Sequence, residues 1–68
     1  MADRLANRLK DFRTELGLTQ AELAERVGVT RKTVNTVENG VFTPSATLAI
    51  KLARALGVTV EQLFWIER

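Results

Sequence analysis

The chain has 68 residues, ten cationic and eight anionic side chains, and no cysteine, histidine or tyrosine. That length suits one small domain whose core is barely large enough to hold it, with residues 1-68 expected to fold as a unit. Lacking Cys and His, it has no disulfide or thiolate metal site and few groups for acid–base or nucleophilic catalysis, so no enzyme activity, metal or cofactor is expected.

No apolar run reaches membrane-spanning length and no signal peptide stands at the start, so the expected location is cytoplasmic. Charge is uneven along the chain. From Arg26 to Arg54 five cations face one anion, a net of +4, while the segments on either side each carry −1. A modest basic centre suits an anionic partner, although a solvated mixed-charge face is the plainer reading of charge alone.

Leu5, Leu9, Phe12 and Leu16 recur at helical spacing and predict a first helix stopped by Gly17. The tetrapeptide "TQAE" pairs Thr19 with Glu22 as a capping box and opens a second helix over about 20-27, with Leu23, Ala24 and Val27 inward. Gly28 stops it. Thr30 then caps a third helix over about 31-39, and "NG" at Asn39–Gly40 ends it. After the loop "VFTP", where Phe42 reads as a core plug or as a partner-facing side chain, Ser45 caps a fourth helix. That helix carries Leu48, Leu52 and Leu56 and stops at Gly57. "TVEQ" is a second capping box, Thr59 with Gln62, and opens a short fifth helix through Leu63 and Phe64. No strand alternation is seen. The fold class expected is all-α, a compact five-helix bundle.

The third helix is the odd one. In "GVTRKTVNTVENG" only Val34 and Val37 look like core residues. Each residue turns about 100° around the axis, which puts Val34, Val37 and Glu38 on one side. Lys32, Asn35, Thr36 and Asn39 fan over the other, flanked by Arg31 and Thr33. This outward set has the chemistry that reads a DNA major groove: Arg or Lys matches guanine acceptors, Asn matches adenine, and a Thr methyl meets a thymine methyl. An ordinary solvated helix face is the competing reading. Only Val29 separates Gly28 from the Thr30 cap, and so tight a turn forces two helices to cross steeply at close range, the geometry of a helix-turn-helix.

The stretch "LTQAELAERVGVTRKTVNTVENGVFTPS" resembles the helix-turn-helix of the phage Cro and repressor (XRE-type) family, through Gln20, Leu23, Ala24, Val27, Gly28, Val29, Val34, Val37, Glu38, Asn39 and Gly40. The likeness continues through "LAIKLARALGVTVEQLF". It implies a lambda-repressor-like fold that binds double-stranded DNA. It implies base contacts from Arg31, Lys32 and Thr36, with Asn35 grouped with them. The phosphate contacts it implies are Gln20 at a helix N-terminus and Asn39. Thr19, Thr30 and Thr33 stand beside these and join the phosphate set. It also implies an ion pair between Arg13 and Glu38 that orients the third helix, buried rather than on the surface. Relatives often carry Lys or Arg just after "NG", where this chain has Val41 and Phe42.

One such unit touches few bases, and the family solution is a two-fold dimer on half-sites about 34 Å apart. In "LFWIER", Leu63 and Phe64 are expected inward, leaving Trp65 or Ile66 for a twin. The segment Phe64, Trp65 and Ile66 is the candidate dimer interface, either by side-chain packing or as an extended strand. Alternatively Trp65 folds over the first helix as a lid. The functional expectation is a transcriptional repressor on a palindromic operator. The alternatives are an antitoxin with a toxin partner that also regulates its own operon, and a protein-interaction module without DNA.

Overall fold

The computed structural model describes residues 3–67. In chain order it contains β1 (Arg4–Asn7), α1 (Leu9–Glu15), α2 (Gln20–Val27), α3 (Arg31–Glu38), α4 (Ala46–Leu56), α5 (Val60–Leu63) and β2 (Phe64–Glu67). The five helices are the expected bundle. β1, and the pairing of β2 with it inside one chain, are not foreseen by the sequence reading.

Local chemistry sets the helix boundaries. Thr19, Thr30, Ser45 and Thr59 each accept a backbone N–H from the first turn of the helix they precede, and Thr19 and Thr59 complete reciprocal capping boxes with Glu22 and Gln62. At the end of α2, Gly28 takes φ 74°, and the Gly28 and Val29 N–H groups reach back to the Glu25 and Ala24 carbonyls at 3.3 and 3.0 Å. This pair of bonds closes the helix and turns the chain straight towards the Thr30 cap.

Leu9, Leu23, Val34, Val37, Leu52 and Leu63 are almost completely enclosed and form the centre of the core. One residue from each of α1, α2, α4 and α5, and two from α3, meet there. The apolar residues of each helix therefore serve one shared interior rather than separate pairs.

The first helix starts later than its leucine spacing predicts. Leu5 belongs to β1, and the Asn7 side-chain Oδ1 accepts the Leu9 N–H at 3.0 Å, which ends the strand and begins α1. Leu16 is also not a core residue: it lies past the last turn of α1 and is 54% exposed, while Leu18 is enclosed in its place. The physical cause is the Gly17 turn, which swings Leu18 back under the helix.

β1 and β2 pair antiparallel, with Arg4 opposite Glu67, Leu5 opposite Ile66, Ala6 opposite Trp65 and Asn7 opposite Phe64. "FWI" is indeed extended, but its partner is the N-terminal segment of the same chain. Phe64, counted from the sequence in the candidate dimer interface, is 7% exposed and lies in the protein's own core. Alternation along the strand puts Ile66 on the same face as Phe64, but two residues further along the ribbon it is 57% exposed. Trp65 is partly buried on the other face of the ribbon, with the Arg8 guanidinium 5.4 Å from its ring centre. It lines a shallow cleft with Phe12, so the lid over α1 is realised in part. Phe42 is 47% exposed, so it does not plug the core. Among the described residues no helix is long and apolar enough to cross a membrane.

Candidate nucleic-acid interface

α2 and α3 meet at the Gly28–Thr30 turn, and α3 has Val34 and Val37 anchored in the core at 1% exposure each. What remains of α3 is its polar side. Arg31, Lys32, Asn35 and Asn39 are exposed, and Thr33 and Thr36 are partly buried. The angular reading of the sequence thus places these side chains on the outward surface of the helix.

Their hydrogen bonds decide what each can still offer. Thr30 accepts the Thr33 N–H at 3.2 Å, and the two hydroxyls stand 3.1 Å apart. The Thr36 hydroxyl donates to the Thr33 carbonyl at 3.0 Å, so its methyl and an oxygen lone pair are what it presents outward. Asn39 Nδ2 donates to the Asn35 carbonyl at 2.9 Å.

Behind this surface lies a charged clasp. Arg13 Nε and Nη2 donate to Glu38 Oε2 and Oε1 at 2.6 and 3.2 Å, and Arg13 Nη1 donates to the Leu18 carbonyl at 2.8 Å. The two side chains are 10% and 3% exposed, so the pair is buried. Gln20 Nε2 donates to Glu38 Oε1 at 3.0 Å. Glu38, at the end of α3, is therefore tied both to α1 and to the first residue of α2. Fork-to-fork geometry fixes direction as well as distance, and so constrains how α3 lies against the other two helices.

Thr19 and Gln20 stand at the start of α2. Thr19 Oγ1 accepts the Glu22 N–H, and Gln20 retains a second amide hydrogen. Glu22 in turn accepts the Thr19 N–H at 2.8 Å. That bond, and then the one to the Thr19 hydroxyl, holds its carboxyl below the usual carboxylate range.

The positive charge is shared between two places. Arg31 and Lys32 sit on α3, while Arg26, Lys51 and Arg54 line a shallow cleft beside Gly28 together with Glu25. One contact had no counterpart in the sequence reading. Asn7 Nδ2 donates to the Val37 carbonyl at 3.0 Å, which lashes the terminal ribbon to the last turn of α3. Its only sequence signal is an Asn two residues before a helix start. Among the described residues no cluster of His, Cys, Asp and Glu side chains could hold a metal ion.

The helix-turn-helix family profile matches residues 9–63. The chain belongs to this XRE-type helix-turn-helix family, whose members are DNA-binding regulators rather than enzymes. It is 52% identical over 60 residues to a helix-turn-helix-type transcriptional regulator of Methanothermobacter thermautotrophicus, covering 87% of each chain. It is 49% identical over 57 residues to the antitoxin HigA-1 of Vibrio cholerae, covering 82% of this chain and 50% of that protein. Among solved structures, the restriction-modification controller protein C.AhdI of Aeromonas hydrophila matches with a TM-score of 0.76 and 38% identity, covering 81% of this chain and 80% of that one. SinR, a master regulator for biofilm formation solved in complex with DNA, matches with a TM-score of 0.74 and 33% identity, covering 79% and 87%.

Proposed function

We propose that the protein is a sequence-specific transcriptional regulator that seats α3 in the major groove of double-stranded DNA and acts in the cytoplasm as a repressor. The observation that carries this reading is the outward polar side of α3, formed by Arg31, Lys32, Asn35 and Thr36, on a helix anchored by Val34 and Val37. Arg31 and Lys32 are donors suited to guanine O6 and N7. Thr36 offers a methyl to thymine. Gln20, Thr19, Thr30 and Thr33 hold the flanking phosphates, aided by the partial positive charge at two helix N-termini.

Two copies bind a palindromic operator, with Trp65 and the exposed Ile66 of the terminal ribbon at the contact between them. The ribbon leaves Ile66 57% exposed, and a twin packed against it adds apolar burial.

Selection of bound sequences from random duplex DNA tests the whole reading. An enriched inverted repeat with half-site centres about 34 Å apart is expected. Failure to enrich any sequence contradicts it. The likeness to HigA-1 favours neither this reading nor the alternative, an antitoxin that also regulates its own operon; stable co-purification with a toxin encoded beside it would favour that role.

A further inference from the structure

Arg26, Lys51 and Arg54 are exposed and line one shallow cleft with Glu25 beside the Gly28 turn, Arg26 from α2 and the other two from α4. Among the described residues no side-chain hydrogen bond or salt bridge engages any of the three. Arg26 and Arg54 stand in the last turns of their helices, where the dipole favours a cation. That accounts for two of them without using their hydrogen-bond donors, and it leaves Lys51, in the middle of α4, unexplained. Three cations around one carboxylate make a net positive surface whose donors are available to an anion.

The cleft continues towards α3. A second groove shares Val27, Gly28 and Lys51 with it and reaches Thr33 in the first turn of α3. The terminal ribbon meets the opposite end of that helix, through the Asn7 bond to the Val37 carbonyl. At 1.5 Å per residue the two ends of α3 are about 12 Å apart. With the ribbon at the contact between two copies, the last turn of α3 faces the two-fold axis and the first turn faces away from it. The three cations then lie on the side of each protomer turned towards duplex beyond the half-site. An acidic protein also suits the charge, but continuity with Thr33, one of the residues proposed above to hold phosphates, favours the DNA backbone.

We propose that Arg26, Lys51 and Arg54 form a second DNA surface that holds backbone phosphates of the duplex flanking each half-site. This rests on the groove reading and the ribbon dimer proposed above, and adds a contact outside the bases that α3 reads. Phosphate contacts carry no sequence information, so flanks of any sequence serve.

Two duplexes test it: the selected operator alone, and the same operator extended on each side by about ten base pairs of random sequence, roughly one further helical turn. The wild type should bind the extended duplex more tightly. Its plot of log affinity against log salt should also be steeper there, by about 0.9 for each phosphate engaged. The combined variant Arg26→Gln, Lys51→Gln, Arg54→Gln should lose that gain. Arg26→Lys with Arg54→Lys should keep most of it, since Lys also pairs with phosphate. Equal affinity and slope of the wild type on both duplexes overturns the proposal, as does a gain that the triple Gln variant retains. It is likewise overturned if the flanks add nothing while the wild type, and not the triple variant, binds poly-glutamate, which assigns the cleft to an acidic protein. These responses remove the proposal alone, because the short operator is still bound. A short operator bound no better than a random duplex of its length removes the groove reading and the proposal with it.

Discussion

Arg13 and Glu38 are joined by two parallel bonds of 2.6 and 3.2 Å across the interior between α1 and the end of α3. Arg13→Ala strands the Glu38 carboxylate in a site where its side chain is 3% exposed. Gln20 remains as a partner, so urea denaturation should show a loss at the lower end of about 3–5 kcal/mol. Arg13→Met combined with Glu38→Leu should recover much of it, because the stranded charge rather than the missing attraction sets the cost. Unchanged stability and unchanged DNA affinity in Arg13→Ala would contradict the orienting role.

Arg31 and Gln20 are proposed to act on different parts of the duplex, and their alanine variants should separate. Arg31→Ala should cost about 1–3 kcal/mol on the selected site and relax base choice at one position. Gln20→Ala should weaken selected and random duplexes by similar factors. Competition binding with both DNAs measures the two ratios; equal losses for Arg31→Ala would take it out of base reading.

At the turn between α2 and α3, a Cβ added to Gly28 meets nothing within 4 Å, so a side chain there is opposed by the backbone alone. Gly28→Ala should therefore cost about 1–2 kcal/mol, the penalty of a left-handed residue bearing a side chain. Gly28→Asn should cost less. Thermal unfolding reads both, and equal midpoints for wild type and Gly28→Ala would show that the turn has an alternative conformation.

Acid should loosen the fold in a defined direction. Glu22 is held below its ordinary value of 4.5 by the Thr19 bonds, and Glu67 below the same value by its hydrogen bond and charge contact with Arg4. Both carboxylates stay ionised to lower pH when folded than when unfolded. Their contribution is complete above the unfolded value and disappears as pH falls through the folded one. Unfolding midpoints should drop between about pH 5 and pH 2. Glu22→Gln preserves a capping box and should flatten part of that slope; an unaltered slope would assign the acid sensitivity elsewhere.

Ile66 tests the dimer. Because it is 57% exposed, Ile66→Asp should leave monomer stability nearly unchanged. In sedimentation it should shift the protein to monomer, and it should weaken binding to a full operator more than to a half-site. A dimer that survives the change would move the interface away from the ribbon.

The helical part of the molecule was legible because helix boundaries are written in local chemistry. Thr19, Thr30, Ser45 and Thr59 cap as expected, and Gly17, Gly28, Gly40 and Gly57 all take positive φ at helix ends. The extended character of "FWI" was legible, but its partner was not, because the pairing joins residues from opposite ends of the chain, Arg4 with Glu67. Leu5 fits helical spacing equally well, and its pairing with Ile66 together with the Asn7 bonds to Leu9 and Val37 keeps it out of α1. On the candidate interface, spacing was enough to sort outward from inward residues. It carried no information about the hydrogen bonds among them, such as those from Asn39 to Asn35.

The most direct test of the central claim is a backbone amide NMR titration of the protein with its selected duplex. Shift changes should concentrate at Thr30–Asn39 and at Thr19–Gln20, and should fade steeply with added salt as phosphate contacts are displaced. Changes confined to the terminal ribbon, with the outer side of α3 silent, would contradict the account.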